Sequence, residues 1–239
     1  MTTTTVVAES RVLRALDSVR DPELDEPVTT LGFVASVDTA PDGSVAVHLR
    51  LPTYFCAPNF AFLMVADAYD AVSAIEGIGR VEVTLDDHFA SDAINSGVAA
   101  HAGFVQSFDG EAVSELDSLR ANFLRKAVLA GTDLVCRPLV AAGTAPERLA
   151  ELTLGQVPAS PALDRLRARR SQLGLPAADD AALMIDPQSG DPVGAGGVPL
   201  HLRKARLTRV SLEANGSICR GMLRVRYDSE GLGEESQGD

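Results

Sequence analysis

The sequence predicts an α+β protein: a small α-β-β-α-β domain, then a mostly helical segment and a C-terminal β-hairpin. One reason is a change of hydrophobic period, since apolar residues alternate over 44–51 and then recur every three or four residues over 58–75. A second is Asn215-Gly216, which lies between two alternating stretches and is a strong signal for a short hairpin turn. These patterns place strands and a helix early in the chain and strands again near its end.

The N-terminal domain is predicted to cover residues 1–87. Its first helix ends before Pro22, because the residue that precedes a proline avoids helical backbone. Pro41-Asp42-Gly43 favours a hairpin turn, because proline presets φ and glycine accepts a positive φ. The predicted elements, in chain order, are a helix over 8–19, strands over 32–38 and 44–51, a helix over 58–75 and a strand over 80–85.

Cys56 lies in the predicted loop between the second strand and the helix that begins near Pro58. Proline suits a first helical turn, where its missing N–H would have had no partner. Unpaired N–H groups and the positive end of the helix dipole favour a thiolate, the form of cysteine that binds metals or attacks electrophiles. The alternative is that Cys56 is a small buried hydrophobic residue, as most free cysteines are. The residues alone leave both interpretations open.

The composition limits the classes of partner. The formal net charge of −12 over 239 residues argues against nucleic acid or an anionic membrane as a main partner. The N-terminal MTTTTVVAES has neither the basic nor the apolar region of a signal peptide, and no apolar run reaches membrane-spanning length. Cys56, Cys136 and Cys219 are far apart in the chain, which favours a reducing, cytoplasmic location over a disulfide framework.

A series of spaced motifs in the N-terminal domain resembles one known family. The run VRDPELDEPVTTLGFVASV is followed by a hairpin, by LPTYFC, and then by a helix and VEVTL. This order resembles the MIP18 family, also called DUF59, which includes SufT-like and PaaD-like iron–sulfur assembly factors. The resemblance covers residues 9–86. The matching residues are Asp21, Pro22, Glu23, Leu31, Gly32, Val34, Thr53 and Cys56.

The resemblance implies an accessory protein, not an enzyme, that assists iron or iron–sulfur cluster assembly and the maturation of a client metalloenzyme. In that role Cys56 would bind iron or a cluster transiently, because a cluster takes about four ligands and one thiolate is too few for a permanent site. Ligation between two copies of the protein, in a homodimer, is one arrangement that the resemblance implies. The client it suggests is an iron enzyme such as a multicomponent di-iron monooxygenase, with residues 88–228 as the recognition module.

Two other functions stay open. The chain could keep the family fold, bind no metal, and serve as an adaptor or auxiliary subunit that binds an oxygenase component through its helices over 88–173. It could instead be an enzyme with Cys56 as nucleophile. No base lies at a recognised spacing from this cysteine, and His48 precedes the loop out of register with it. The assembly role is therefore the leading hypothesis.

A second metal site is considered outside the resemblance. His88 and Asp92 are four residues apart and would share one face of a helix, with His101 further along the chain. Imidazole and carboxylate groups are metal ligands, so these three residues are candidates. Surface or helix-capping roles are the more common fate of such residues, because no known spacing defines them as a site.

The remaining segment, residues 88–228, is predicted from pattern alone. A short apolar stretch over 134–142 is expected to bury Cys136, and the helix over 160–173 is expected to expose a basic face. The tail over 229–239 is polar and acidic and is predicted to be disordered. The other predicted elements are helices over 110–130, 145–152 and 160–173, a linker or exposed loop over 174–199, and hairpin strands over 205–214 and 217–227.

Overall fold

The computed structural model describes residues 3–108, 112 and 114–228. Contacts divide the chain into two units: unit 1 is formed by Met1–Leu116 with Asn215–Asp239, and unit 2 by Asp117–Ala214. These limits differ from the predicted boundary at residue 87, since unit 1 continues to Leu116 and also includes the C-terminal part of the last helix. The predicted disordered tail, 229–239, lies outside the described residues.

Unit 1 contains a three-stranded sheet. Its strands lie in the order β1 (Val34–Thr39), β2 (Val45–Leu49) and β3 (Val81–Leu85). Strands β1 and β2 are antiparallel, and the turn between them is the predicted one, with Gly43 at a φ of +85°. Strands β2 and β3 are parallel and therefore need a crossover, which helix α3 (Pro58–Ser73) provides. This confirms the predicted strand–strand–helix–strand order.

Helices α1 (Thr3–Leu16) and α3 pack against this sheet and against each other. Helix α1 ends at Leu16, three residues before the predicted end, because the Ser18 and Val19 N–H groups turn back to the carbonyls of Ala15 and Leu16. Three short helices complete the first part of the unit: α2 (Val28–Leu31), α4 (Ser91–Ala99) and α5 (Phe104–Ser107). The buried residues of α3 are Ala61, Phe62, Leu63, Met64, Val65, Ala68 and Val72.

Unit 2 is built around helices α6 (Asp117–Ala141) and α7 (Pro161–Gln172). The prediction of a helix closed at Gly131 is wrong, since α6 continues through that glycine and through the stretch predicted to be a separate apolar segment. A Cβ on Gly131 would lie 3.4 Å from Leu166 Cδ1, so this position of α6 faces α7. Cys136 is buried, as predicted. The first residues of the predicted 110–130 helix lie partly outside the described residues.

Arg170 differs most from the sequence prediction in unit 2, because the basic face of α7 was expected to be solvated. Its side chain is 0% exposed, and its guanidinium donates to the carbonyl oxygens of Ala182 (2.8 Å) and Leu183 (2.6 Å). Leu183 is itself buried, together with the two residues that follow it. The 174–199 segment, predicted to be an exposed loop, therefore contributes its middle to the core of unit 2.

The predicted C-terminal hairpin is wrong, because one helix, α8 (Val198–Asp228), covers both of its strands and the Asn215-Gly216 turn. A buried stripe at helical spacing overrides the local turn signal. Its buried members are Val198, His201, Ala205, Leu212, Gly216 and Leu223. Among the described helices, α8 included, none combines the length and the apolar character needed to cross a membrane.

Candidate functional site

Cys56 lies in the loop that joins β2 to α3, as the sequence predicts. Pro58 occupies the first turn of α3, and Ala57 precedes the helix without a side-chain cap. The Cys56 thiol is partly exposed and lies 3.3 Å from the hydroxyl oxygen of Thr53. This contact links two residues of the motif on which the family resemblance rests.

His88 holds the backbone of this loop. Its Nε2–H donates to the Cys56 carbonyl oxygen over 2.7 Å, and its Nδ1 accepts from the Ala90 N–H over 3.2 Å. Burial lowers the pKa of His88, which favours the neutral ring that these two contacts require. Both ring nitrogens therefore bind backbone groups, so the imidazole that contacts the Cys56 loop is not positioned as a base for the thiol.

The proposed second metal site is not assembled. His88 is engaged with the Cys56 loop, whereas His101 contacts the ring of Tyr69, and Asp92 lies in the first turn of α4. Within the part of the chain that the structure describes, no group of three or more His, Cys, Asp or Glu side chains could hold a metal ion. The predicted role of these residues as ligands has no geometric support.

The Asp21-Pro22-Glu23 motif forms a tight loop after α1. Asp21 is buried, and its Oδ1 accepts from the N–H groups of Glu23 and Leu24, both over 2.9 Å. Burial raises the pKa of Asp21 to about 6, since desolvation of the carboxylate outweighs these two hydrogen bonds. The motif therefore places a buried acidic group in unit 1.

Replacing Asp21 with asparagine is expected to remove a pH-dependent loss of stability. The pKa of Asp21 is 3.8 in a model peptide and about 6 in the fold, so folding favours the protonated form. Stability from this group is present below pH 4, falls as the pH rises to about 6, and stays lower above that. Asparagine keeps the acceptor oxygen, so Asp21→Asn should gain roughly 2–3 kcal/mol over wild type between pH 4 and pH 7. Urea unfolding of the metal-free protein, followed by circular dichroism, measures this difference. A constant difference across the pH range would contradict the assignment.

Gly32, another residue of the motif, ends helix α2 with a φ of +77°. A Cβ at this position would lie 3.1 Å from Leu223 Cδ2, on helix α8. Glycine therefore meets two demands here, a left-handed backbone and a close approach of the C-terminal helix. Helix α8 lies outside the sequence motif, so the motif alone does not predict its close approach to Gly32.

Three exposed aromatic side chains lie in the Cys56 loop or in the segment hydrogen-bonded to it. Tyr54, Phe55 and Phe89 are 44%, 76% and 49% exposed, and their ring centroids are 5.0 to 6.3 Å apart. We call these three residues the aromatic patch. Sequence reasoning missed it, although the adjacent Tyr54-Phe55 in a loop was a readable signal. Exposed, mutually contacting aromatic rings are typical of surfaces that bind other molecules.

The three cysteines are expected to react with iodoacetamide in the order Cys56, Cys219, Cys136. Burial raises the pKa of Cys136 to about 12, and burial together with the Asp21 carboxylate raises that of Cys219 to about 11. Only the thiolate attacks, so both residues are deactivated, and Cys136 is also buried. Peptide mapping by mass spectrometry after brief labelling of the native protein measures the order. Faster labelling of Cys136 or Cys219 would show that the Cys56 loop does not expose its thiol.

Comparisons with known proteins match the segment that carries this loop. The family described as iron–sulfur cluster assembly protein matches residues 9–85. An iron–sulfur cluster carrier protein of Mycobacterium tuberculosis is 42% identical over 72 residues, which are 30% of this chain and 18% of that protein. An Fe–S protein maturation auxiliary factor of Porphyromonas gingivalis is 28% identical over 98 residues, 41% of this chain and 92% of that protein. The chain thus spans less than a fifth of the mycobacterial carrier protein that it matches.

A smaller relative is matched over nearly all of its length. An uncharacterized protein of Methanocaldococcus jannaschii is 31% identical over 90 residues, which are 38% of this chain and 93% of that protein. The matched segment contains the sheet of unit 1, the Asp21 loop and the Cys56 loop. Through residues 9–85, the chain belongs to the iron–sulfur cluster assembly protein family, which the MIP18 (DUF59) motifs indicated.

Proposed function

We propose that this chain accepts an iron–sulfur cluster, or iron destined for one, at Cys56 and passes it to a recipient metalloenzyme. The observation that carries the proposal is the partly exposed Cys56 thiol, held in a loop of the family segment by Thr53 and His88. Relatives that share this segment are named as an iron–sulfur cluster carrier protein and an Fe–S protein maturation auxiliary factor. The cluster is cargo in this role, so weak ligation is an advantage.

The number of ligands supports a transient role. An iron–sulfur cluster takes about four protein ligands. No set of three candidate ligands lies together among residues that the structure describes. A cluster bound at Cys56 would therefore keep open iron positions, and thiolates of the recipient can occupy these positions before Cys56 releases its own iron.

The recipient must come close to Cys56 for this exchange, and the aromatic patch lies beside it. Tyr54 and Phe55 are two residues and one residue before Cys56, and Phe89 follows His88, which bonds to the Cys56 backbone. Burial of exposed aromatic rings supplies much of the binding energy at protein interfaces. We assign the recipient's docking surface near the thiol to this patch.

Unit 2 is the proposed source of selectivity for one recipient. It lies outside the family segment and has a hydrophobic core of its own. On the part of α8 that belongs to unit 2, Leu200, Leu207 and Val210 are exposed and follow helical spacing along one face. A multicomponent di-iron monooxygenase, the client that the MIP18 resemblance suggests, is one recipient to examine.

Anaerobic reconstitution with ferrous iron and sulfide tests the function. After desalting, the wild-type protein should retain iron and sulfide in similar amounts and show cluster absorbance. Mixed with an apo-ferredoxin, it should load this recipient faster than free iron and sulfide do, and an added iron chelator should not block the loading. A chelator that stops loading completely would show that iron is released to solution instead of handed over.

Absence of both retained cluster and accelerated loading would favour the adaptor alternative. In that case the chain would bind an oxygenase component without carrying metal. Co-purification with the separately produced oxygenase component, in the absence of iron, would then measure this binding. The family assignment would not change, because the experiment tests whether the chain carries a cluster and does not test its fold.

A further inference from the structure

Strand β3 forms one edge of the sheet in unit 1, and no strand lies on its outer side among the residues that the structure describes. It is parallel to β2, so its successive residues direct their backbone groups alternately toward β2 and away from it. The Arg80 carbonyl oxygen and the Asp86 N–H both bond to β2, each over 2.8 Å, so the even-numbered residues face that strand. Val81, Val83 and Leu85 therefore present their N–H and C=O groups at the outer edge.

A side chain already pairs with one of these three edge residues. The carboxamide of Asn95, on helix α4, accepts from the Leu85 N–H over 2.8 Å and donates to the Leu85 carbonyl oxygen over 3.2 Å. It thus supplies the donor and the acceptor that a neighbouring strand would supply. Val81 and Val83 present the same outward groups, and in the described part of the chain no side chain or strand pairs with them.

Val81 and Val83 line a groove of about 430 Å³ that follows β3. Val83 is only 5% exposed, so this edge is not an open surface. An unpaired sheet edge is a template for another strand, and an edge enclosed by helices fits a single extended segment best. The residues that the two flanking helices contribute are Tyr69 and Ser73 from α3, and Asn95, Val98 and Ala99 from α4.

Helices α3 and α4 surround this groove with negative charge. Neither helix contains a lysine or an arginine. Asp70 and Asp92 are exposed, the first adjacent to a lining residue and the second three residues before one. At the strand itself, the charges of Arg80 and Glu82 offset each other, since the two side chains pair over 3.8 Å. A positively charged segment is therefore complementary to the groove.

We propose that the β3 edge binds a basic, extended segment of another protein as an added strand. Main-chain hydrogen bonds to Val81 and Val83 hold this segment, and Asn95 ends the pairing because it already occupies the Leu85 groups. The proposal goes beyond cluster transfer, because it assigns a peptide-binding site that does not involve Cys56.

Charge argues against two other occupants of the edge. A second copy of the chain would bring its own acidic α3 and α4 against those of the first copy. Residues 229–239 of this chain contain four carboxylate side chains and no lysine or arginine. A basic segment of a different protein avoids both repulsions.

Binding of synthetic heptapeptides to the full-length protein, measured by fluorescence anisotropy, tests the proposal. A labelled peptide of alternating lysine and valine should bind saturably. Replacement of its lysines with glutamates should weaken binding at least about tenfold through charge repulsion. N-methylation of its backbone amides should have an effect at least as large, because the methyl groups remove the donors of the added strand.

Two substitutions at one position of the protein isolate the edge. Val81→Pro removes an outward N–H but no bond to β2, since proline is tolerated at the first residue of an edge strand, and it should weaken binding at least about tenfold. Val81→Thr keeps both the N–H and the β-branched shape and should bind like wild type. Circular dichroism of each variant shows whether the fold is retained.

Amide hydrogen exchange followed by NMR locates the bound peptide. The amides of Val81 and Val83 should exchange at least about tenfold more slowly with the peptide bound, whereas those of β1 should keep their rates. Absence of saturable binding, or equal affinity for the N-methylated peptide, would overturn the proposal. Unchanged affinity in a folded Val81→Pro would overturn it as well.

Sedimentation of the protein alone tests the choice of partner. A dimer that Val81→Pro dissociates would show that a second copy occupies the edge, and it would contradict a basic segment as the occupant. Cys56→Ala should bind the lysine–valine peptide as wild type does. Failure of peptide binding and failure of cluster transfer are therefore separate results.

Discussion

Replacing Cys56 with alanine is expected to abolish cluster transfer while leaving the fold nearly intact. The thiol is the group that would bind the cargo, and its deletion removes the first ligand. The thiol is only partly buried, so the free energy of unfolding should change by about 1 kcal/mol or less. Reconstitution, transfer to an apo-ferredoxin and urea unfolding, each on wild type and variant, measure the three quantities.

The matched control is Thr53→Val, which removes the hydroxyl in contact with the thiol but keeps the thiol itself. Transfer should be reduced in this variant but not abolished. The same pair of variants can be scored in the native host by the activity of a co-produced iron enzyme. Full enzyme activity with Cys56→Ala would contradict cluster transfer through Cys56 and would favour the adaptor alternative.

Replacing Arg170 with alanine is expected to destabilise unit 2 by about 3–5 kcal/mol. The side chain is fully buried, and its loss leaves a cavity and deprives the carbonyl oxygens of Ala182 and Leu183 of their donor. Burial lowers the pKa of Arg170 to about 10, so the guanidinium is still charged near neutral pH and the hydrogen bonds are charge-assisted. The effect should be concentrated in unit 2, because the carbonyl oxygens that accept from Arg170 belong to Pro176, Ala182 and Leu183, which all lie there.

The chain has no tryptophan, so hydrogen–deuterium exchange with peptide resolution is the appropriate measurement. Amides of α6 and α7 should exchange much faster in Arg170→Ala, whereas amides of β2 and α3 should keep wild-type rates. Arg165→Ala, on the exposed side of the same helix, is the matched control and should stay within about 0.5 kcal/mol of wild type. Arg170→Met, which restores volume without donors, separates the cavity from the lost hydrogen bonds. Unchanged exchange in Arg170→Ala would show that the guanidinium is not part of the core.

The sequence could predict the Cys56 loop because its causes are local. Alternation up to Leu49, a proline at the start of α3 and the helical repeat that follows it all lie between Val45 and Ser73. The family motif adds Asp21, Gly32 and Thr53 in order. The contacts of these residues are not local, since Gly32 packs against Leu223, nearly two hundred residues later in the chain.

Helix α8 shows why the rest could not be predicted. Asn215-Gly216 is a strong hairpin signal over four residues, but the helix is stabilised by a buried stripe distributed over twenty-six, from Val198 to Leu223. A seven-residue repeat was present in the sequence, at Val198, Ala205, Leu212 and Cys219. The alternation of apolar and polar residues over the same stretch favoured strands instead. With strands assumed over this stretch, the close approach of Leu223 to Gly32 could not follow from the sequence.

The division of α8 between the two units has a consequence for how the protein is made. Unit 1 includes Asn215–Asp239, so its last structural element leaves the ribosome after the whole of unit 2. At about 5–20 residues per second, the nascent family domain waits roughly 7–30 s between completion of β3 and synthesis of Asp228. During this interval the Leu51 carbonyl oxygen has no Arg226 to donate to it, and Gly32 has no Leu223 packed against it.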